Sequence, residues 1–262
     1  MLLSIDVGNT NTVLGLFRKG QPIAKGPFKT WRASTHPSGT ADEFRAKLHV
    51  FLSLDGLKLS EISAVAVSSV VPPFTGMLRG VFGETPLHLI DSHSPFSFAN
   101  KASPPTQVGA DRLVNAEAVV REYGAPAIVV DSGTATTVCA ITRDRDYRGG
   151  AIMPGIELSI QSLAKNTAKL FSVELTAPTH VIGSNTTDAL RSGILLGYAS
   201  MIDGMVKRFK AELEEPHAKV VATGGVSALL KDLAVEITDF DPNLTMKGIA
   251  YVHEQLSHDH RK

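Results

Sequence analysis

Leu2, Leu3 and Ile5 form a short apolar run that stops at the acid Asp6. A turn of Gly and Asn follows, and a second apolar run returns from Val13 to Phe17. Two apolar segments around a Gly/Asn turn predict a β-hairpin. The same arrangement recurs in AIVVDSGTATTVCAI. Aligning Asp6 with Asp131 also matches Gly8 with Gly133, Thr12 with Thr137 and Val13 with Val138. A second pair of segments is related in the same way. AVAVSSVVPP (Ala64 to Pro73) and KVVATGGVS (Lys219 to Ser227) are β-branched strands ending in small residues before a predicted helix. Helical patterns lie between these strands, over Thr40–Leu54, Gly109–Tyr123, Asn185–Lys210 and from Pro242 to about Leu256. Thr40 is a predicted N-cap, with Asp42 and Glu43 in the first turn that follows. The Ser- and Pro-rich stretch His93–Gln107 reads as an exposed connection leading into a second lobe.

The repeat spans about half the chain, far longer than solenoid units of ~20–50 residues. It predicts a two-lobed α/β protein with a duplicated core, divided into residues 1–118 and 119–262.

Composition narrows the function. Lys and Arg number 26 against 26 Asp and Glu, and the short basic spot at Arg143, Arg145 and Arg148 is broken by acids. A nucleic-acid binder carries a basic excess or stripe, so nucleic acid is not an expected partner. Cys139 is the only cysteine, which excludes an internal disulfide and multi-thiolate zinc sites. The first apolar run has no basic residues before it and is too short for a leader or a membrane span. The expectation is a cytoplasmic protein with no membrane partner. The HDHRK tail reads as a frayed terminus rather than a metal site.

Four segments carry the candidate chemistry. In DVGNTNT, Gly8, Asn9 and Asn11 tolerate left-handed backbone angles. N–H groups and the Thr10 and Thr12 hydroxyls could then surround an anion. Asp6, at the strand end, could hold a metal ion or its water shell. An ordinary Gly-Asn hairpin is the plainer reading of one copy alone. The second copy, DSGTATT, turns the pair into a candidate polyphosphate grip, because phosphoryl transfer depends on positioning and charge neutralisation. TGG, Thr223 to Gly225, permits close backbone approach to a flat ligand such as adenine or ribose. VGADR opens a predicted helix, placing Asp111 in its first turn and Arg112 beside it. Either could meet a substrate, although an acid in a first turn is also plain helix capping. Neither a Walker loop nor the protein-kinase motif set is present.

DVGNTNT, GADR, DSGTATT and TGG, in that order, resemble the type III pantothenate kinases. So do TWR with TADE (Thr30 to Arg32, Thr40 to Glu43), SSVVPP (Ser68 to Pro73), GGAIMPG (Gly149 to Gly155) and IGSNTTDALRSG (Ile182 to Gly193). The resemblance covers nearly the whole chain. It implies two ribonuclease H-like lobes of the acetate and sugar kinase, Hsp70 and actin superfamily. The implied activity is transfer of the ATP γ-phosphoryl group to pantothenate, in a homodimer with active sites near the subunit interface.

The implied roles follow residue by residue. Asp6, Val7, Gly8, Asn9, Thr10, Asn11, Thr12 and Val13 bind ATP phosphates, Asp6 with Mg²⁺. Thr134, Gly224 and Gly225 contact ATP. Gly109, Ala110, Asp111 and Arg112 bind pantothenate, with Asp111 as proton acceptor. Asp131 holds a monovalent cation, K⁺ or NH₄⁺. Thr186 contacts pantothenate from the neighbouring subunit. The chain departs from the family at Ala102, where a Tyr is usual, and Phe98 is a candidate substitute. Two other readings stay open: a different small-molecule kinase or ATPase on this fold, and a non-catalytic regulator of transcription.

Overall fold

The computed structural model describes residues 1–166 and 173–259, so His260, Arg261 and Lys262 of the HDHRK tail lie outside the described residues. The chain forms two compact units. One takes residues 1–122 together with the chain from Asn243 on, and the other takes residues 123–242.

The first unit begins with β1 (Leu2–Val7), β2 (Asn11–Phe17) and β3 (Lys29–Ser34). Helix α1 (Ala41–Leu54), β4 (Ala64–Ser69), α2 (Pro72–Phe82) and β5 (Leu87–Ile90) follow. A two-residue strand β6 (Ala99–Asn100) then precedes α3 (Ala110–Glu122). The sheet order is β3-β2-β1-β4-β5, antiparallel through β3-β2-β1 and parallel through β1-β4-β5. Thr40 caps α1 in a reciprocal box with Glu43, and the helix buries Phe44, Leu48 and Leu52 at a four-residue spacing. Pro72 and Pro73 open α2, where a missing N–H costs nothing, and Phe74 of that helix meets Phe44 edge-on.

The second unit repeats this plan. Its strands are β7 (Ala127–Ser132), β8 (Ala135–Ile141), β9 (Asp146–Pro154), β10 (Lys219–Thr223) and β11 (Asp239–Phe240). Their order, β9-β8-β7-β10-β11, carries the same antiparallel and parallel pairings. Helices α4 (Ile156–Asn166) and α5 (Thr186–Leu213) precede β10, and the short α6 (Ser227–Leu230) follows it. These five strands therefore copy the topology of the first unit's sheet, and the expected duplication is present.

The last helix, α7 (Leu244–Asp259), closes the first unit, so the units do not follow a single cut at residues 118 and 119. The physical cause is helix packing. A side chain on Gly248 would overlap the main chain of Val114, so glycine lets α7 lie directly against α3. Ile249, Ala250 and Val252 join Val114 and Ala66 in one buried cluster. Glu117 of α3, fully buried, is satisfied from three sides. It accepts from Ser97 N and Oγ (2.6 and 2.7 Å), Arg121 Nε (3.0 Å) and Gln255 Nε2 of α7 (2.7 Å). The stretch His93–Gln107 therefore runs into α3 of the first unit, and Ser97 ties it down.

Candidate active site

At the first hairpin Gly8 N donates to Asn11 O (3.0 Å), leaving Asn9 and Thr10 at the tip. Thr35, just past β3, holds the turn from below. Its N–H donates to Thr10 O (2.9 Å) and its hydroxyl to Gly8 O (2.8 Å), and that hydroxyl also bonds Thr12 Oγ1 (2.9 Å). Two tip carbonyls are thus engaged by Thr35, away from any anion that the turn would bind through its N–H groups. Asp6 is half-buried and accepts from Ser68 Oγ (3.0 Å), its register partner on β4.

GADR lies beside this hairpin. Gly109 is 3.5 Å from Val70 Cγ1 when a Cβ is placed on it, and Val70 N donates to Val7 O (3.1 Å). The same added Cβ would overlap Asp111 Oδ1, so the carboxylate folds back over residue 109. Asp111 and Arg112 are half-buried at the head of α3, while Ala110 is buried.

In the second unit Gly133 N donates to Ala135 O (3.1 Å), with Thr134 alone at the tip. This turn is one residue shorter than the first. The ladder pairs Val7 with Thr12 but Ser132 with Thr136. Thr12 therefore corresponds to Thr136, and Val13 to Thr137. The ungapped alignment of Thr12 with Thr137 and Val13 with Val138 is corrected, since periodicity alone does not reveal a one-residue deletion inside a turn. Thr136 is fully buried and bonds the Tyr198 hydroxyl of α5. Thr134 O accepts from Gly155 N (3.1 Å), and a side chain at Gly155 would overlap the Gly133 and Thr134 carbonyls.

Asp131 pairs in register with Thr223 on β10. Gly224 has φ +96°, and a Cβ there would stand 2.5 Å from Ser132 O and 2.8 Å from Asp131 Oδ1. Only glycine fits where the TGG turn approaches the Ser132 carbonyl and the Asp131 carboxylate this closely. Gly225 is exposed. Ser227 Oγ donates to Gly224 O (2.7 Å), so the TGG turn does lead into a helix, though only a four-residue one. Thr186 is exposed as the first residue of α5, whose N-cap Asn185 accepts from Asp188 N (3.0 Å).

Within the first unit, then, the structure brings together Asp6 to Val13 and Gly109 to Arg112. Within the second it brings together Asp131, Thr134 and Gly224. Sequence reasoning missed Ser68, Val70, Thr35, Gly155 and Tyr198. Three of these, Ser68, Val70 and Gly155, lie in SSVVPP and GGAIMPG, motifs that carry the family resemblance but for which no role was read. Phe98 is 9% exposed, and its ring stacks on Phe96 (5.0 Å). On α5, Ile194, Leu195, Tyr198, Ile202 and Val206 are buried in the second unit's own core.

A family model for type III pantothenate kinase matches residues 2–208. A type III pantothenate kinase of Rubrobacter xylanophilus is 44% identical, with 97% of each chain covered. One of Roseiflexus sp. is 41% identical over 97% of this chain and 98% of that one. Among solved structures, a Campylobacter jejuni protein described as a Baf family transcriptional activator superposes with TM-score 0.61 at 19% identity, covering 98% of this chain and 99% of that one. An archaeal actin homolog superposes with TM-score 0.50 at 13% identity, covering 97% and 99%. These structural likenesses bear on the two-lobed fold alone.

Proposed function

This chain belongs to the type III pantothenate kinase family, and from that premise we propose how its residues share the reaction. The enzyme transfers the γ-phosphoryl group of ATP to the hydroxyl of pantothenate, giving 4′-phosphopantothenate, the first step of coenzyme A synthesis. ATP is used with Mg²⁺, as in kinases generally.

The observation that carries the assignment of roles is the Asp111 carboxylate folded over Gly109, next to the base of the first hairpin. Asp111 orients the pantothenate hydroxyl. It accepts the proton late, as the oxygen bonds to phosphorus and the bond to ADP breaks, because a carboxylate is a weak base for an alcohol. Gly109, Ala110 and Arg112 complete the pantothenate side, with Arg112 available to a substrate oxygen. Residues 6–13 hold the phosphates. Thr134, Gly224 and Gly225 contact the nucleotide.

Among the described residues no group of three or more His, Cys, Asp or Glu could hold a metal by itself. Mg²⁺ keeps waters and binds through one or two carboxylates plus substrate phosphates. Asp6 supplies such a carboxylate, held by Ser68. The ion would offset phosphate charge. For a monovalent cation, K⁺ or NH₄⁺, the Asp131 carboxylate and the neighbouring Ser132 carbonyl offer oxygen donors. The test is salt exchange at constant ionic strength. Activity should rise when K⁺ or NH₄⁺ replaces Na⁺, and Asp131→Asn should blunt that response; equal rates in all three salts would exclude the site.

We assign a homodimer as the working assembly. Thr186 is exposed in the single chain, free to serve a neighbour's pantothenate. Ile152 and Leu158 are 65% and 48% exposed. An apolar groove of about 280 Å³ between α4 and α5 is lined by Leu163, Leu190, Gly193, Gly197 and Met201. No helix among the described residues is long and apolar enough to cross a membrane. A cytoplasmic location without a nucleic-acid partner fits the equal charge balance.

The decisive assay is ATP consumption with and without pantothenate. Asp111→Asn keeps size and hydrogen bonding but removes the base, so turnover should fall by about 10²-fold or more while ATP still binds. Retention of most activity would reduce Asp111 to a helix cap.

A further inference from the structure

The two hairpins rest on equivalent buried threonines, but different parts of the chain serve them. In the first unit Thr12 is held by Thr35, at the end of the neighbouring strand of the same sheet. In the second unit Thr136 is held by the phenol of Tyr198, which α5 brings in from outside the sheet. Thr136 is fully buried and Tyr198 is 6% exposed, so water does not replace this bond when it is lost. The buried Ser132 hydroxyl lies next to the same phenol. Burial pushes the Tyr198 phenol up, and the nearby Asp131 charge adds to the rise against the hydrogen bonds from its neighbours. The phenol therefore keeps its proton near neutral pH. Thr136 and Ser132 flank the turn whose other side is pinned by Gly155 N on Thr134 O.

We infer that Tyr198 is a positioning residue, which through Thr136 fixes the turn presenting Asp131 and Thr134 to the cation and the nucleotide. This rests on the reading of that hairpin proposed above. It also gives α5 a second duty. The helix begins at Thr186, ~18 Å of helix from Tyr198, so the element that offers Thr186 to pantothenate also sets the nucleotide-side hairpin.

Tyr198→Phe tests the inference, because it keeps the ring in the core and removes only the hydroxyl. Thr136→Val removes the partner, and Thr136→Ser keeps it. Tyr198→Phe and Thr136→Val should each raise the KM for ATP and the half-saturating K⁺ concentration by about fivefold, the worth of one neutral hydrogen bond, with kcat at saturation within about twofold. The double variant should be no worse than either single one, and Thr136→Ser should behave as wild type. A merely structural bond would lower the melting temperature and leave both constants unmoved. Wild-type constants in folded Tyr198→Phe, or additive effects in the double variant, would overturn the inference. If wild type itself ignores the identity of the monovalent ion, the cation reading fails separately. Direct titration with a fluorescent ATP analogue then decides for Tyr198, unchanged affinity in the variant counting against it. Should Tyr198→Phe not fold, the Thr136→Val and Thr136→Ser pair decides by the same constants.

Discussion

Replacing Gly109 with Ala tests the placement of Asp111 without touching its carboxylate. The added methyl would overlap Asp111 Oδ1 on one side and stand 3.5 Å from Val70 Cγ1 on the other. The second contact is ordinary, so relief has to come from the carboxylate, which must swing by about 1 Å to regain van der Waals distance. A misplacement of about 1 Å in a reacting group can cost about 10² in rate. That is about 2.7 kcal/mol of barrier. Stability should hold. Gly109 is not among the glycines with positive φ, so Ala fits its backbone and stiffens the unfolded chain, a gain of about 0.4–1 kcal/mol. The assay is steady-state ATP consumption at saturating pantothenate, beside a thermal melt and a nucleotide-binding titration. The expected pattern is a kcat about 100-fold down, with melting temperature and ATP affinity near wild type. Full activity in the Ala variant would refute the reasoning, as would a loss that follows unfolding.

Two further outcomes test the assembly and the first unit's interior. Leu158→Asp places a charge on a half-exposed apolar position of α4; it should leave the second unit folded but shift the mass in solution at micromolar concentration from dimer to monomer, and an unchanged dimer would rule out this face. His253, pushed down to about 4 by burial and by the facing His88 ring at 5.1 Å, should make stability fall as the pH drops. Between about pH 6.5 and 4 the unfolded chain takes up a proton that the folded one refuses, so stability is lost as pH falls through 6.5 and levels near 4. The ring is partly exposed, so the loss is about 1–2 kcal/mol rather than the worth of the whole shift. Urea unfolding at pH 7 and pH 5 should show it in wild type and a flatter dependence in His253→Phe; equal slopes would refute the assignment.

Local features of the fold were legible in the sequence because local forces decide them. The Gly-Asn turn between apolar runs specified the first hairpin, and Thr40 with Glu43 specified the start of α1. Relations set by distant contacts were not legible. Nothing around Leu244 indicates that α7 packs on α3, since the cause is a glycine meeting the main chain of a residue 134 positions earlier in sequence, Gly248 against Val114. Phe98 is apolar and near GADR, yet only the fold shows it stacked inward on Phe96. At the site, the acids and glycines stood out as motifs. Their supports, Ser68 under Asp6 and Tyr198 under Thr136, are common residue types whose role comes from sheet register and helix packing.

Because α7 belongs with the first unit, the unit begun earlier on the ribosome is completed later. Residues 123–242 are continuous, and their ends meet where Tyr123 OH donates to Asp241 Oδ2 (3.4 Å). That segment can finish folding during synthesis, as domains generally fold as units. The sheet carrying Asp6 must wait for α7, with the face that receives Met246, Ile249 and Val252 open until then. A chain stopped short of residue 243 would thus expose apolar surface around Phe17, Ala66 and Val114 rather than at its broken end, and a chaperone or protease inspecting it would find the damage far from the break.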